Sequence, residues 1–184
     1  MGNKLETQKL NKEKRTNTAK ECAILAVFVA LLIATQTVLS IIPGVELVTV
    51  LFVSFSFAFG SRKGMLAATV FSLIRQLVFG VFPKILILYL IYFNLLTFVF
   101  GVVGKRKKSR AKDLWVIVVI ACLGTIFFTL FDNILTPIWY GYSAKATKLY
   151  FYASLPIVVP QVICTAVSVS VLFLPLTKAF EKFQ

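Results

Sequence analysis

The chain has no histidine, only three cysteines and only seven acidic side chains among its 184 residues. The absence of histidine excludes imidazole metal ligands, imidazole proton relays and histidine-based catalytic triads. The cysteines, Cys22, Cys122 and Cys164, lie in or beside apolar segments, so we interpret them as small packing residues rather than disulfide or metal partners. No Walker-type phosphate loop and no hydrolase motif occurs. The sequence therefore predicts no enzymatic activity, no metal and no cofactor.

The chain is unusually rich in long apolar segments. Fifty-nine per cent of its residues are apolar and its mean hydropathy is +0.88, more than a soluble domain of this size can bury. Long runs with almost no charge predict an all-α integral membrane protein with six transmembrane helices. We predict these spans at about residues 22–42, 45–60, 65–82, 85–104, 114–136 and 156–177. The second is short for a complete crossing, so we expect one of its ends in the headgroup region.

Basic residues are distributed unevenly between the two sides of this arrangement. If the N-terminus is cytoplasmic, sixteen of the twenty Lys and Arg residues lie inside, and Arg75 lies within a span. The three on the outside are Lys84, Lys145 and Lys148. This bias predicts that both termini are cytoplasmic, and it favours lipid headgroups over nucleic acid as the partner of the basic segments. The predicted domains are a cytoplasmic basic tail (1–21), a six-helix membrane domain (22–178) and a cytoplasmic C-terminal end (179–184).

Polar side chains within the predicted spans collect toward the outer half. A charged or amide group in a span is costly, so its position is informative. The candidates for contact with a ligand are Glu46, Arg75, Asn94, Asp132 and Gln161. The inner halves carry hydroxyls such as Thr97 and Thr125 but no strong ionisable group. This asymmetry favours a binding pocket that opens to the outside over a continuous pore.

Arg75 is the most informative of these candidates. Near the centre of a helix, an arginine costs about 2.5–3.5 kcal/mol on insertion scales, so another group must compensate for it. It either forms an internal ion pair with Glu46 or Asp132, meets an anionic or carbonyl group of a ligand, or snorkels to the interface. Asn94 and Gln161 either bond a neighbouring helix or contact a ligand in the pocket.

The segment 137–155 is predicted to be a long outer loop rich in aromatic side chains. Its rings belong to Trp139, Tyr140, Tyr142, Tyr150, Phe151 and Tyr152. One interpretation is the interfacial belt, in which Trp and Tyr lie at headgroup level. The other is a lid in which Trp139, Tyr140 and their neighbours stack on a planar or bulky organic ligand. The length of the predicted loop favours the lid.

Three alanines, Ala26, Ala30 and Ala34, recur at helical spacing in the first span. Residues four apart share one face of a helix, so these three form a strip about 12 Å long. In lipid, a strip of small residues lets another helix approach closely. That helix belongs either to this chain or to a partner.

The six-span arrangement with outer polar residues and an alanine strip resembles the substrate-binding S components of energy-coupling factor (ECF) transporters. The stretch IPGVELVTVLFVSFSFAFGSRKG (42–64) is similar to the first outer turn and second span of such proteins. The resemblance implies a bacterial cytoplasmic-membrane subunit that binds a vitamin or related micronutrient from outside. It also implies a membrane T component docked on Ala26, Ala30 and Ala34, two cytoplasmic ATPases, and a gating turn at 43–46.

Two other functional classes remain open from the sequence. A self-sufficient small carrier or channel would transport with ions as its only energy source. An intramembrane enzyme or an assembly factor would bind no micronutrient. Within the ECF interpretation, the aromatic segment and the arginine favour a ring-bearing or weakly anionic ligand, but the sequence does not identify it.

Overall fold

The computed structural model describes residues 2–42, 45–106 and 113–183, with backbone only for 2–17 and 106. These residues form six α-helices and no strand. The helices are α1 (Gly2–Leu39), α2 (Val48–Phe59), α3 (Ser61–Phe79), α4 (Pro83–Arg106), α5 (Leu114–Tyr140) and α6 (Ala144–Glu181). The all-α prediction is confirmed, and each of the six predicted segments overlaps a helix. Helix α1 also runs through most of the predicted tail, whereas Pro43 and Gly44 of the predicted gating turn lie outside the described residues.

Four of these helices are long and apolar enough to cross a membrane. They are Thr18–Leu39 of α1, Pro83–Lys105 of α4, and the whole of α5 and α6. Large apolar side chains on them face outward, with Val27 71% exposed and Ile138 74% exposed. A water-soluble protein rarely exposes apolar surface on this scale. The chain is therefore a multi-pass membrane protein.

The short helix α2 lies at the centre of the bundle and contacts all five other helices. Residues 48–57 are buried on every face, which explains why the sequence of α2 is apolar throughout rather than on one stripe. Its Phe52 ring packs against the rings of Phe28, Phe71 and Phe93. With 12 residues, α2 is only about 18 Å long and is enclosed by longer helices.

Helix α4 approaches the turn between α2 and α3 closely at two glycines. A Cβ atom on Gly101 would collide with the backbone of Ser61, and one on Gly104 would collide with the carbonyl oxygen of Phe57. Neither obstacle is a flexible side chain. Helix α4 can therefore approach α2 and α3 this closely only because Gly101 and Gly104 lack a Cβ. Gly60 forms the turn itself at φ 86°, a conformation that favours glycine.

The predicted outer loop at 137–155 is wrong. Helix α5 continues to its end at Tyr140 and α6 begins at Ala144, so only residues 141–143 separate them. Gly141, at φ 64°, ends α5 in the left-handed conformation. Ser143 then begins α6 by accepting a hydrogen bond from the Ala146 N–H group at 3.3 Å.

Prolines caused this error. The prediction ended a span before Pro137 and began the next at Pro156, because proline usually breaks a helix. Both lie inside helices here, as do Pro160 and Pro175 of α6. Helices in membrane proteins tolerate proline because neighbouring groups can satisfy the freed backbone atoms.

Contacts between helices define two ends of the bundle. At one end, which we call the basic end, Lys63 at the start of α3 pairs with Glu21 of α1 at 2.9 Å. At the other, which we call the polar end, Gln36 of α1 donates a hydrogen bond to Tyr89 of α4 at 3.1 Å. Helices α1, α3 and α5 therefore end at the polar end, and α2, α4 and α6 begin there.

Candidate functional site

The first group of polar side chains at the polar end surrounds Tyr89. Gln36 Nε2 donates to the Tyr89 hydroxyl at 3.1 Å. The guanidinium carbon of Arg75 lies 4.5 Å from the centre of the Tyr89 ring and 5.0 Å from that of Phe79. We call Gln36, Arg75 and Tyr89 the Tyr89 cluster. It joins α1, α3 and α4.

Arg75 forms no ion pair with any residue that the structure describes, so the ion pair with Glu46 or Asp132, one of the alternatives that the sequence left open, is not found. Its Nε and Nη1 atoms are buried without a hydrogen-bond partner, and so is Gln36 Oε1. Each such group costs about 1–3 kcal/mol. An aromatic ring returns about 0.5–2 kcal/mol to a cation over its face. Two rings therefore offset only part of the cost, and the cluster keeps unmet hydrogen-bonding capacity.

The position of Arg75 along α3 also differs from the sequence-based expectation. It lies four residues before the last residue of α3, Phe79, or about 6 Å along the helix axis. The sequence placed it near the middle of a span because that span was taken to begin at residue 65, four residues after the observed start of α3. Arg75 is thus a residue of the polar end.

The second group is a network around Asp132. Lys84 Nζ lies 2.8 Å from Asp132 Oδ1, and the Tyr150 hydroxyl donates to Asp132 Oδ2 at 2.8 Å. Thr136 donates to Asp132 Oδ1 at 3.1 Å and accepts from Lys84 at 2.8 Å. We call these four residues the Asp132 network. Since it joins the start of α4 to α5 and α6, the carboxylate is already occupied by groups of its own chain.

A cleft of about 180 Å³ lies beside this network, between α5 and α6. Its polar lining consists of Thr129, Asp132, Asn133, Tyr150, Ser154 and Gln161. Asn133 Nδ2 donates to Ser154 Oγ at 2.7 Å, which closes one side of the cleft. The structure thus places two of the candidate residues, Asp132 and Gln161, on one cleft. The cleft is smaller than the 300–1,000 Å³ usual for organic ligands.

Glu46 lies in the short segment before α2. Its Oε1 accepts a hydrogen bond from Thr49 at 3.1 Å, and its N–H group donates to Cys164 Sγ of α6 at 3.4 Å. These hydrogen bonds tie Glu46 to the first turn of α2 and to α6.

Asn94 contributes to helix packing. Its Oδ1 accepts from Thr69 of α3 at 3.3 Å, and its Nδ2 donates to the Leu90 carbonyl oxygen at 2.8 Å. Both ends of the amide are therefore engaged within the chain. Of the two interpretations that the sequence allowed, the bond to a neighbouring helix is the one found.

The aromatic residues of 137–155 lie at the junction of α5 and α6. Trp139 and Tyr140 are 45% and 57% exposed on the last turn of α5. The rings of Tyr140 and Tyr142 stack at 6.1 Å, while Tyr150 turns inward to Asp132. A lid formed by a long loop has no basis here, because this segment is helical apart from three residues. Exposed rings at a helix end fit the interfacial belt.

The alanine strip borders an open groove between α1 and α3. Ala26, Ala30 and Ala34 are all exposed, and the groove has a volume of about 630 Å³. Val29 and Ile33 of α1 line it as well, and the opposite wall consists of Leu66, Ala67, Val70 and Ile74 of α3. No helix of the described chain covers the strip.

Two residues that organise these groups were missed in the sequence. Tyr89 lies within an apolar run and gives no local signal of its role. Lys84 did give one, because a lysine on the outer side departs from the positive-inside pattern and needs a partner. That partner, Asp132, lies 48 positions further along the chain.

No family model, curated protein or solved structure matches the chain. Its function is therefore inferred from its own residues and their arrangement.

Proposed function

We propose that this protein is the substrate-binding S component of an ECF-type ABC importer in the bacterial cytoplasmic membrane. It binds a vitamin or related organic micronutrient from the extracellular side. It then delivers the ligand inward together with a shared T component and two cytoplasmic ATPases. In this proposal all six helices form the membrane domain, both termini are cytoplasmic and the polar end faces outward.

The observation that carries the proposal is the exposure of the alanine strip. Lipid-facing positions elsewhere on α1 hold larger side chains, such as Val27 and Val38, which are 71% and 69% exposed. Ala26, Ala30 and Ala34 instead leave a shallow face two turns long beside an apolar groove. Small residues at such a place allow the backbone of another helix to approach closely. A T component supplies helices of this kind in the ECF interpretation.

The distribution of charge supports the proposed orientation. The basic end carries Arg62, Lys63, Lys105, Lys178 and Lys182. The polar end carries Arg75, Lys84, Lys145 and Lys148, and Lys84 is neutralised by its pair with Asp132 at 2.8 Å. Basic residues concentrate on the cytoplasmic side of membrane proteins, so the polar end is the outer one. The buried polar groups of the Tyr89 cluster then lie on the side from which a ligand arrives.

Substitutions on two faces of α1 test the proposal. We expect Ala30→Trp to abolish co-purification with the T component and ATP-dependent uptake, because the indole would fill the groove between α1 and α3. Val27→Trp, an equally bulky change at an exposed position outside the strip, is the matched control and should retain both. Ligand binding by the isolated protein should survive both changes.

The rival carrier or channel function has a separate signature. Liposomes that contain only this protein should show no uptake under an ion gradient, and uptake should require the T component, the ATPases and ATP. Ion-driven uptake by the protein alone would refute the S-component proposal.

A further inference from the structure

Unmet hydrogen-bonding groups concentrate in the Tyr89 cluster. Six side-chain N and O atoms in the described residues are buried without a partner, and three of them belong to Arg75 and Gln36. Arg75 contributes donors, at Nε and Nη1, and Gln36 contributes an acceptor, at Oε1. A ligand that satisfies both side chains therefore needs an acceptor group and a donor group.

The cluster is held in place by contacts that leave these atoms free. The Arg75 guanidinium lies over the rings of Tyr89 and Phe79, while two of its nitrogens remain unpaired. The Gln36 amide is fixed at its nitrogen by the Tyr89 hydroxyl. Side chains with fixed positions and free polar atoms are suited to recognition, because little further ordering is required on binding.

The charges around the cluster restrict the ligand further. Arg75 supplies the one positive charge of the cluster, and Lys84 at the start of α4 is already paired with Asp132. One positive charge balances one anionic group of a ligand and leaves any further negative charge uncompensated.

We propose that Arg75 and Gln36 bind a small organic molecule, with its anionic oxygen group on Arg75 and an N–H or O–H donor toward Gln36 Oε1. This deepens the proposed function and rests on it, because the site would be the outer ligand site of the S component. Amino acids and hydroxy acids with larger organic substituents belong to the class. Polyphosphates and purely cationic molecules do not.

The test is mass spectrometry of the small molecules released by denaturing the full-length protein, purified in detergent from cells grown in rich medium. Wild type is compared with Arg75→Gln and Gln36→Leu. The matched control is Arg62→Gln, which removes an exposed arginine from the first turn of the same helix, at the basic end. Circular dichroism and size-exclusion chromatography establish that each variant is folded.

We expect wild type and Arg62→Gln to release the same compound, with both an acidic oxygen group and an N–H or O–H donor. Arg75→Gln should retain at least tenfold less of it, and Gln36→Leu should also retain less. The proposal is overturned if no compound is enriched in wild type over Arg75→Gln, or if the enriched compound has no acidic group. Co-purification of the T component, measured on the same preparations, reports separately on the S-component proposal.

If Arg75→Gln does not fold, Arg75→Lys replaces it. A lysine keeps the positive charge but lacks the planar guanidinium that fits an oxygen anion. Retention of the compound should then fall while the fold is preserved. Full retention by a folded Arg75→Lys together with full retention by Gln36→Leu would overturn the assignment of these residues.

Discussion

The Lys84–Asp132 pair should contribute far more to stability than the Lys63–Glu21 pair, although their distances are nearly equal. The pairs measure 2.8 Å and 2.9 Å. Their surroundings differ, since the Lys84 and Asp132 side chains are 12% and 22% exposed, against 36% and 53% for Lys63 and Glu21. The comparison isolates the effect of burial on an ion pair within one protein.

The expected magnitudes follow from this difference. Exposed ion pairs usually couple by about 0.2–1 kcal/mol, because water screens them and both side chains lose freedom. Hydrogen bonds to charged groups in less exposed sites contribute about 1.5–3 kcal/mol. We therefore expect a coupling energy of about 2–3 kcal/mol for Lys84 and Asp132, and below about 1 kcal/mol for Lys63 and Glu21.

The assay is a pair of double-mutant cycles, measured by reversible unfolding in detergent. One cycle uses Lys84→Met, Asp132→Leu and the double variant, and the other uses Lys63→Met, Glu21→Leu and their combination. Asp132→Leu should be the most damaging single change, because it leaves the Lys84 ammonium poorly compensated. Equal coupling energies in the two cycles, both below about 1 kcal/mol, would refute the importance assigned to the Asp132 network.

Two further predictions concern helix packing. Gly104→Ala should destabilise the protein by about 1–3 kcal/mol in the same unfolding assay, because the added methyl group meets the Phe57 carbonyl oxygen. Gly124→Ala is the control, since its methyl group meets the end of the Leu96 side chain at 3.1 Å, and it should be neutral or stabilising. An equal loss in both variants would contradict the close approach described at α4. Asn94→Leu should cost about 1 kcal/mol through loss of the Thr69 hydrogen bond and leave retention of the wild-type ligand unchanged. Lost retention in a folded Asn94→Leu protein would return this residue to the ligand site.

Hydropathy located the apolar part of each helix but neither its full length nor its surroundings. The apolar runs overlap six helices because burial in lipid and burial in the bundle both select apolar side chains. For the same reason, the sequence could not show that α2 is enclosed by its neighbours, since an apolar residue is compatible with either environment. The junction of α5 and α6 was misplaced because Pro137 is a helix breaker in water but not inside this bundle.

The candidate site was predicted as a set of residues rather than as an arrangement. Asp132 and Gln161 do border one cleft, but Asn94 packs between two helices and Arg75 contacts Tyr89. Depth along a span gives the level of a side chain, not the direction in which it points. The choice of partner therefore depends on helix rotation and packing, which a single sequence does not determine.

For the alanine strip, the sequence predicted the local geometry of the helix face but not its surroundings. Its spacing alone predicted a flat face on α1, and the structure has that face exposed beside a groove of about 630 Å³. What the spacing could not predict was whether another helix of the same chain would cover it. The answer depended on where α3 lies, and α3 borders the groove without closing it.

The most direct test of the proposed function is ATP-dependent uptake of the retained ligand in liposomes that contain this protein, its T component and both ATPases. We predict uptake by wild type and by Val27→Trp, and none by Ala30→Trp, although all three bind the ligand when isolated. Normal uptake by Ala30→Trp, or uptake by the isolated wild-type protein without ATPases, would contradict the proposal that a partner helix docks on the strip.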